Sequence, residues 1–323
     1  MPQEQSPSTT SITGKGLPPD VAVVIAAFKP GRLLDHCLTA LLQQEGIAAF
    51  EIIVVDSSAD GTAGRIQRDF PTVTVVPLAQ QTHQSIARNI GVQLTQATYI
   101  AITDQDCVVS ADWLKRLLAH HLAGDYAAVG GAIVNGTPRS IVGTATYLIE
   151  FNEFLPLGQP RLVGMIPHCN ICFRREVFDA VGPFRPLPPG AEDLVFNFLL
   201  TQQKQRMLFD PHITVRHLNR TGLLAFLHHQ RRLGFGSAVA RRTVPLPGQM
   251  FKDYPWLACS LPFIRSLRTA HRLLLAHLQS FVLYTLLLPI LIPGYTVWTA
   301  GFLAGLRHPL PPDDDVARQS RSD

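Results

Sequence analysis

A chain of 323 residues has the length for one large domain or two modest ones, with ample core for an enzyme. Charged residues make up 16% of it, against about 25% in an average soluble domain, and the mean hydropathy is +0.15, so part of the chain is expected to avoid water. A formal charge of +4 is too mild to argue for a nucleic-acid partner, and five scattered cysteines argue against a secreted disulfide framework.

Residues 1–19 are polar, rich in Ser, Thr and Pro, and lack the apolar stretch of a signal peptide. They read as a flexible tail, and the domain expected over residues 20–245 is placed in the cytoplasm. It opens with Val21-Ala22-Val23-Val24-Ile25-Ala26-Ala27, a continuous apolar run suited to a buried parallel strand. Leu33, Leu34, Cys37, Leu38, Leu41 and Leu42 then recur at helical spacing. Ile52-Ile53-Val54-Val55 predicts a second buried strand, stopped by Asp56-Ser57-Ser58-Ala59-Asp60-Gly61. A short helix ending at Phe70, a strand over 73–76, a helix carrying Ile86, Ala87, Ile90, Gly91 and Leu94, and a strand over 99–103 follow. Further strands are expected at 129–134 and 171–173. This alternation predicts an α/β fold, a mostly parallel sheet flanked by helices. Ligands bind such sheets beyond the carboxyl ends of the strands, where Asp56, Asp104 and Asp106 fall.

Residues 246–272, with Phe251, Tyr254 and Trp256, read as a juxtamembrane linker. Residues 273–306 contain no Asp, Glu, Lys or Arg, whereas a membrane span needs about 20 such residues. Pro289 and Pro293-Gly294 argue against one straight helix. A kinked span is favoured over a segment dipping into one leaflet, and both over buried core. Arg265, Arg268 and Arg272 precede this membrane-associated segment, and Asp313-Asp314-Asp315 lie in the polar tail expected over 307–323. That asymmetry puts the catalytic side on the cytoplasmic face of a membrane whose lipid is a partner.

The sharpest motif is Thr103-Asp104-Gln105-Asp106 at the close of a buried strand. Residues i and i+2 of a strand share a face, and two carboxylates held that close repel unless a cation lies between them. A hard divalent ion such as Mg²⁺ takes oxygen ligands beside substrate phosphates. Asp106 is expected to ligate the metal and Asp104 to contact the nucleotide or the metal's water shell; an exposed acidic turn is the plain alternative. Turn chemistry accounts for Asp56 equally well. Arg88 is either a phosphate clamp on its helix or an ordinary surface arginine. Glu192 and Asp193 stand at a helix start, as caps or with one of them a general base. His217 offers a further metal ligand or a plain surface histidine. Residues 228–234, with Arg231 and Arg232, suit a diphosphate or anionic lipid. Cys169 and Cys172, with His168 beside them, lack the second ligand pair of a zinc site and read as small residues on a packed strand.

The stretches VVIAAF, EIIVVDSSADGT, SIARNIGVQLTQATYIAITDQDC and NICFRREVFDAVGPF…AEDLVF together resemble the family 2 glycosyltransferases, over about residues 20 to 240. The resemblance implies a GT-A-like fold, a nucleotide-diphosphate sugar donor, a glycan or lipid-linked acceptor and a divalent metal, Mg²⁺ or Mn²⁺. It implies that Asp56 contacts the nucleoside, Arg88 lies near the diphosphate, and Asp104 and Asp106 form the D-x-D metal motif. Asp193 is then the base of an inverting transfer, with Glu192 the next candidate, and His217 joins the metal. Ser57 replaces a frequent second Asp, and Phe28-Lys29 a frequent Tyr-Asn. The Gln-x-x-Arg-Trp motif of processive synthases is absent, which favours a non-processive enzyme. A sugar nucleotidyltransferase is the rival enzyme, although residues 26–31 make a poor phosphate loop. A non-catalytic membrane scaffold is the third reading, and the presence of Asp56, Asp104, Asp106 and Asp193 argues against it.

Overall fold

A computed structural model describes residues 20–309. The tail over 1–19, and all but the first three residues of the tail over 307–323, lie outside the described residues. Strands β1 (Val21–Ala27), β2 (Phe50–Asp56), β3 (Thr74–Pro77) and β4 (Tyr99–Thr103) alternate with helices α1 (Leu33–Leu42), α2 (Thr62–Asp69) and α3 (Gln84–Gln93). Then come β5 (Cys107–Val109), α4 (Trp113–Ala123), β6 (Ala128–Asn135), α5 (Ile141–Glu150), β7 (Arg161–Leu162) and β8 (Asn170–Arg174). Helices α6 (Glu176–Val181) and α7 (Ala191–Gln202) and strand β9 (Met207–His217) complete the sheet region. The chain ends in α8 (Leu223–Thr243), α9 (Met250–Asp253), a 3-10 turn (Pro255–Ser260), α10 (Leu261–Ala276), α11 (Leu278–Leu286) and α12 (Leu288–Arg307).

The nine strands form one sheet in the order β3-β2-β1-β4-β8-β6-β9-β5, with β7 beside β9. The first four are parallel, as their alternation with helices requires. Beyond β4 the sheet is mixed: β8 runs antiparallel to both β4 and β6, while β6 and β9 are parallel. β1 shows why an unbroken apolar run was needed. Val21, Val23 and Ile25 join α1 and α4 in one core, whereas Ala22 and Val24 join the opposite core with Ile100, Phe173 and Phe196. Successive side chains alternate faces, so a strand covered on both sides has no polar position. Helix α3 sits tight against β1: a Cβ on Gly91 would lie 2.4 Å from Val24 Cγ1. That close approach brings Gln84 and Arg88 over the carboxyl end of β4.

Residues 246–272 are mostly helical, and α10 continues past them to Ala276. The uncharged run is broken at His277 and Leu287, so it forms the end of α10 and the separate helices α11 and α12. Among the described residues, α12 alone is long and apolar enough to cross a membrane, and 44% of its most apolar window is buried. It is buried against α8. A Cβ on Gly234 would lie 1.9 Å from the Trp298 carbonyl oxygen, and one on Gly301 2.0 Å from that of Arg231. Two helices with backbones this close need glycine at the crossing. Phe226, Leu291 and Tyr295 fill the junction with α5, and Trp298 stacks on Phe302 at 5.4 Å.

Candidate active site

Parallel strands β1, β2 and β4 end together, and the site is built on their carboxyl ends. Asp56, the last residue of β2, is paired in register with Ala27 and is buried. The Ser58 backbone N–H donates to its Oδ1 at 3.1 Å, and the Ser58 hydroxyl donates to the same oxygen. Beside it opens a cleft of ≈ 350 Å³ lined by Asp56, Asp60, Gly61, Gln67, Pro77 and Leu78, a volume suited to a small ligand.

Gln105 fastens the acidic turn after β4 to the end of β1. Its Oε1 accepts from the Phe28 N–H at 2.8 Å, and its Nε2 donates to the Phe28 carbonyl at 3.3 Å. Asp104 Oδ1 accepts from Gln84 Nε2 at 3.0 Å and Arg88 Nη2 at 2.9 Å. Arg88, only 1% exposed, also reaches Asp193 Oδ1 with Nη1 at 3.2 Å. One buried guanidinium thus couples the β4 motif to the first turn of α7. Asp193 is 21% exposed, and the His168 backbone N–H donates to its Oδ2 at 3.3 Å. Burial by itself would raise the Asp193 carboxyl, but His168 and Arg88 hold it well below the ordinary range. Glu192 has the opposite fate. Its side chain is buried, Oε2 has no partner, and burial next to Asp193 pushes its carboxyl up to about 8.

His217, at the end of β9, faces Asp106, with Nε2 3.6 Å from Asp106 Oδ1. Asn219 Nδ2 donates to Asn135 and Thr137, which turns its Oδ1 toward His217 Nδ1 at 3.0 Å. In the neutral ring the proton therefore sits on Nδ1, which leaves the Nε2 lone pair toward a carboxylate oxygen. In that form the imidazole nitrogen and the carboxylate offer a cation two converging ligand atoms. Cys107 is the third member of this group, all within 4.8 Å. Burial raises its thiol well above the usual range, so it is the poorest of the three as a ligand. The chemistry of this donor pair fits a divalent metal.

Asp56, Arg88, Asp104, Asp106, Asp193 and His217 therefore gather around the ends of β2, β4 and β9. Arg88 faces the site's own carboxylates instead of solvent. Arg231 and Arg232 do not join: they are exposed on α8, and no ion pair among the described residues links them to the acidic cluster. Cys169 and Cys172 are buried free thiols on the packed β8 side. Gln84, Gln105, Asn219 and His168 went unnoticed as site residues. Gln84 had a signal, standing one helical turn before Arg88 on the same face.

The model of the family described as glycosyl transferase family 2 matches residues 22–182, from β1 through α6, and stops short of Asp193 and His217. The succinoglycan biosynthesis protein ExoO of Rhizobium meliloti (strain 1021) is 29% identical over 159 residues, covering 49% of this chain and 44% of that one. The glycosyltransferase AglE of Haloferax volcanii is 25% identical over 174 residues, 51% of this chain and 56% of that one. The chondroitin synthase of Escherichia coli is 27% identical over 153 residues, 46% of this chain and 21% of that one. The chain thus spans about half, or less, of the length of the curated relatives it matches. The chain belongs to the family 2 glycosyltransferases, and the matched segment carries Asp56, Arg88, Asp104 and Asp106.

Proposed function

We propose that the chain is an inverting glycosyltransferase that moves a sugar from a nucleotide-diphosphate sugar to an acceptor hydroxyl in glycan, glycolipid or polysaccharide synthesis. The observation that carries this reading is the buried Asp104–Arg88–Asp193 link beside the facing Asp106 and His217. The cleft beside Asp56 receives the nucleoside. Asp106 and His217 hold a divalent Mg²⁺ or Mn²⁺, which when bound neutralises charge on the departing diphosphate. Asp104, fixed by Gln84 and Arg88, orients the same end of the donor. Asp193 takes the proton of the acceptor hydroxyl as that oxygen bonds to the anomeric carbon from the face opposite the diphosphate. The bond from that carbon to the diphosphate oxygen breaks, and its electron pair leaves with the nucleoside diphosphate. Asp193 is ionised at neutral pH and so is in the form a base requires, whereas Glu192, with its carboxyl near 8, already carries a proton.

The C-terminal helices favour a lipid surface as the place of this reaction. Trp256, Phe263, Leu275 and Leu286 are each 70% exposed or more, and no Asp or Glu occurs in residues 254–309. Arg268 stands exposed among them. An apolar face with cationic neighbours suits the boundary of an anionic bilayer. Because α12 is locked onto α8, we favour a unit lying in the cytoplasmic leaflet over a span, with a glycan or lipid-linked acceptor delivered along it. The test is metal-dependent nucleoside diphosphate release from a panel of UDP-, GDP- and dTDP-sugars. Pyrophosphate release from a nucleoside triphosphate mixed with a sugar 1-phosphate would point instead to the nucleotidyltransferase, and no product with any donor to the scaffold.

A further inference from the structure

His168 is wholly buried and touches the proposed base directly. We propose that His168 is the positioning residue of Asp193, holding one carboxylate oxygen through its Nδ1–H and leaving the other for the acceptor's proton. The inference rests on Asp193 being the base. His168 Nδ1 lies 2.8 Å from Asp193 Oδ1, an ion-pair contact off the hydrogen-bond angle, and Nδ1 forms no hydrogen bond with any other group.

Asn197, one turn along α7 from Asp193, decides where the imidazole proton sits. Its Oδ1 accepts from the Ile166 N–H at 3.1 Å, so its Nδ2 is the atom facing His168 Nε2, also at 3.1 Å. Nδ2 also donates to the Asp193 carbonyl at 2.8 Å and the Ile166 carbonyl at 3.2 Å. An amide nitrogen accepts nothing, so a proton on Nε2 would have no acceptor there, and the neutral ring carries its proton on Nδ1, toward the carboxylate. The ring cannot swing away. Phe173, Phe184 and Phe196 surround it with centroids 5.3 to 5.8 Å distant. The backbone is pinned as well, since the Thr103 hydroxyl donates to the Cys169 carbonyl at 3.0 Å.

Both side-chain donors, Arg88 Nη1 and His168 Nδ1, converge on Oδ1 of Asp193. Oδ2 has only the long backbone bond from His168. The carboxylate is therefore held with Oδ2 the less engaged oxygen, and the orientation comes from a rigid, buried ring. Arg88 alone would not supply it, because a guanidinium follows a carboxylate through a range of rotations, and this one is shared with Asp104.

The test compares His168→Leu, which keeps the bulk and loses the N–H, with His168→Asn, whose amide places an N–H near the position of Nδ1. Rates are read as nucleoside diphosphate release from the best donor of the UDP-, GDP- and dTDP-sugar panel with Mg²⁺. His168→Leu should lower kcat about 10–100-fold, the size of one charge-assisted hydrogen bond, with donor KM within about threefold. His168→Asn should recover much of that loss. In an Asp193→Asn background His168→Leu should add nothing, because the two act as one unit. Should His168→Leu fail to fold, His168→Met fills the same aromatic cage without an N–H and takes its place. Independently of any substrate, ¹⁵N spectra of the histidine ring should place the proton on Nδ1.

A proton on Nε2 overturns the inference, as does His168→Asn being as slow as His168→Leu. His168→Leu at wild-type rate beside an inactive Asp193→Asn overturns the positioning role and leaves the base in place. Asp193→Asn at near wild-type rate removes the base itself, and this inference with it.

Discussion

The carboxyl end of the sheet and the C-terminal helices are stabilised by different means. At the sheet end, Asp104, Asp193 and Arg88 are held by paired charges and individual hydrogen bonds, most of them within 3.2 Å. In the C-terminal helices there is no acid at all from residue 254 to 309, and contact rests on shape: glycine against backbone, Trp298 on Phe302, and an Arg265 guanidinium 3.8 Å over the Trp298 ring. The contrast teaches where each kind of substitution should register. A change of one atom at the sheet end alters chemistry and spares shape. In the helices, a change of shape costs stability and an added charge alters location, while the chemistry is spared.

The largest expected effect breaks or upholds the first half of that contrast. Asp193→Asn keeps an oxygen for Arg88 but removes the charge that Arg88 and His168 face, and Gly190 rather than Asp193 is the cap residue of α7, so the melting temperature should fall by several degrees while the protein still folds. The transfer rate should fall about 10²–10⁴-fold, because an amide takes no proton. Parallel measurement of melting and turnover checks both, and near wild-type turnover would leave Asp193 only a charge partner of Arg88 and His168. Next in size is the double change Leu267→Glu with Leu275→Glu on the exposed face of α10. Flotation with vesicles containing phosphatidylglycerol should show about tenfold weaker binding or more, from two lost apolar contacts, with nucleotide release in detergent unchanged. Unaltered flotation would remove lipid from that face.

Smaller again is Gly301→Leu, which sharpens the contrast at its weakest point. The new side chain would start 2.0 Å from the Arg231 carbonyl oxygen, so α12 must move off α8. Destabilisation of about 1–3 kcal/mol is expected, with unchanged nucleotide affinity in the folded fraction. Wild-type stability in a thermal melt would mean that α12 does not rest on α8, and would return it to the bilayer as a span.

The same contrast governs what could be read from the residues alone. Strands β1, β2 and β4 were legible because short apolar runs between turn residues are too short for helices and read as buried strands. The strand at Ile171 was legible too, but its antiparallel direction was not, since periodicity carries no direction. Arg88 left a trace: Ser85, Arg88 and Val92 share one helical face, and all three are buried. His168 left none, because its role depends on Asn197 and Asp193, brought together only by folding. For α12 the missing information was the partner. A long uncharged run says that water is avoided, and lipid and protein satisfy it equally. Gly301 and Gly305, one turn apart, were the available hint of a close helix neighbour.

The smallest expected effect concerns Glu192, next in sequence to the proposed base and unlike it in every respect that matters. Its carboxyl is pushed up to about 8 by burial, from an ordinary 4.5. Between those two values the unfolded chain gives up the proton and the folded chain keeps it, so the unfolded state binds fewer protons. Stability then falls as pH rises through that window and levels off above it. Glu192→Gln, nearly the same shape and unable to ionise, should lose this slope. Melting temperatures of the two proteins should therefore nearly coincide at pH 5 and separate progressively in favour of Gln up to pH 8. Asp193 does not disturb the comparison: its carboxyl is depressed, so its contribution is complete above the ordinary carboxylate range and is lost only below it. Parallel melting curves across pH 5 to 8 would mean that Glu192 ionises within the fold. A charged Glu192 is able to take a proton, and it would then compete with Asp193 for the role of base.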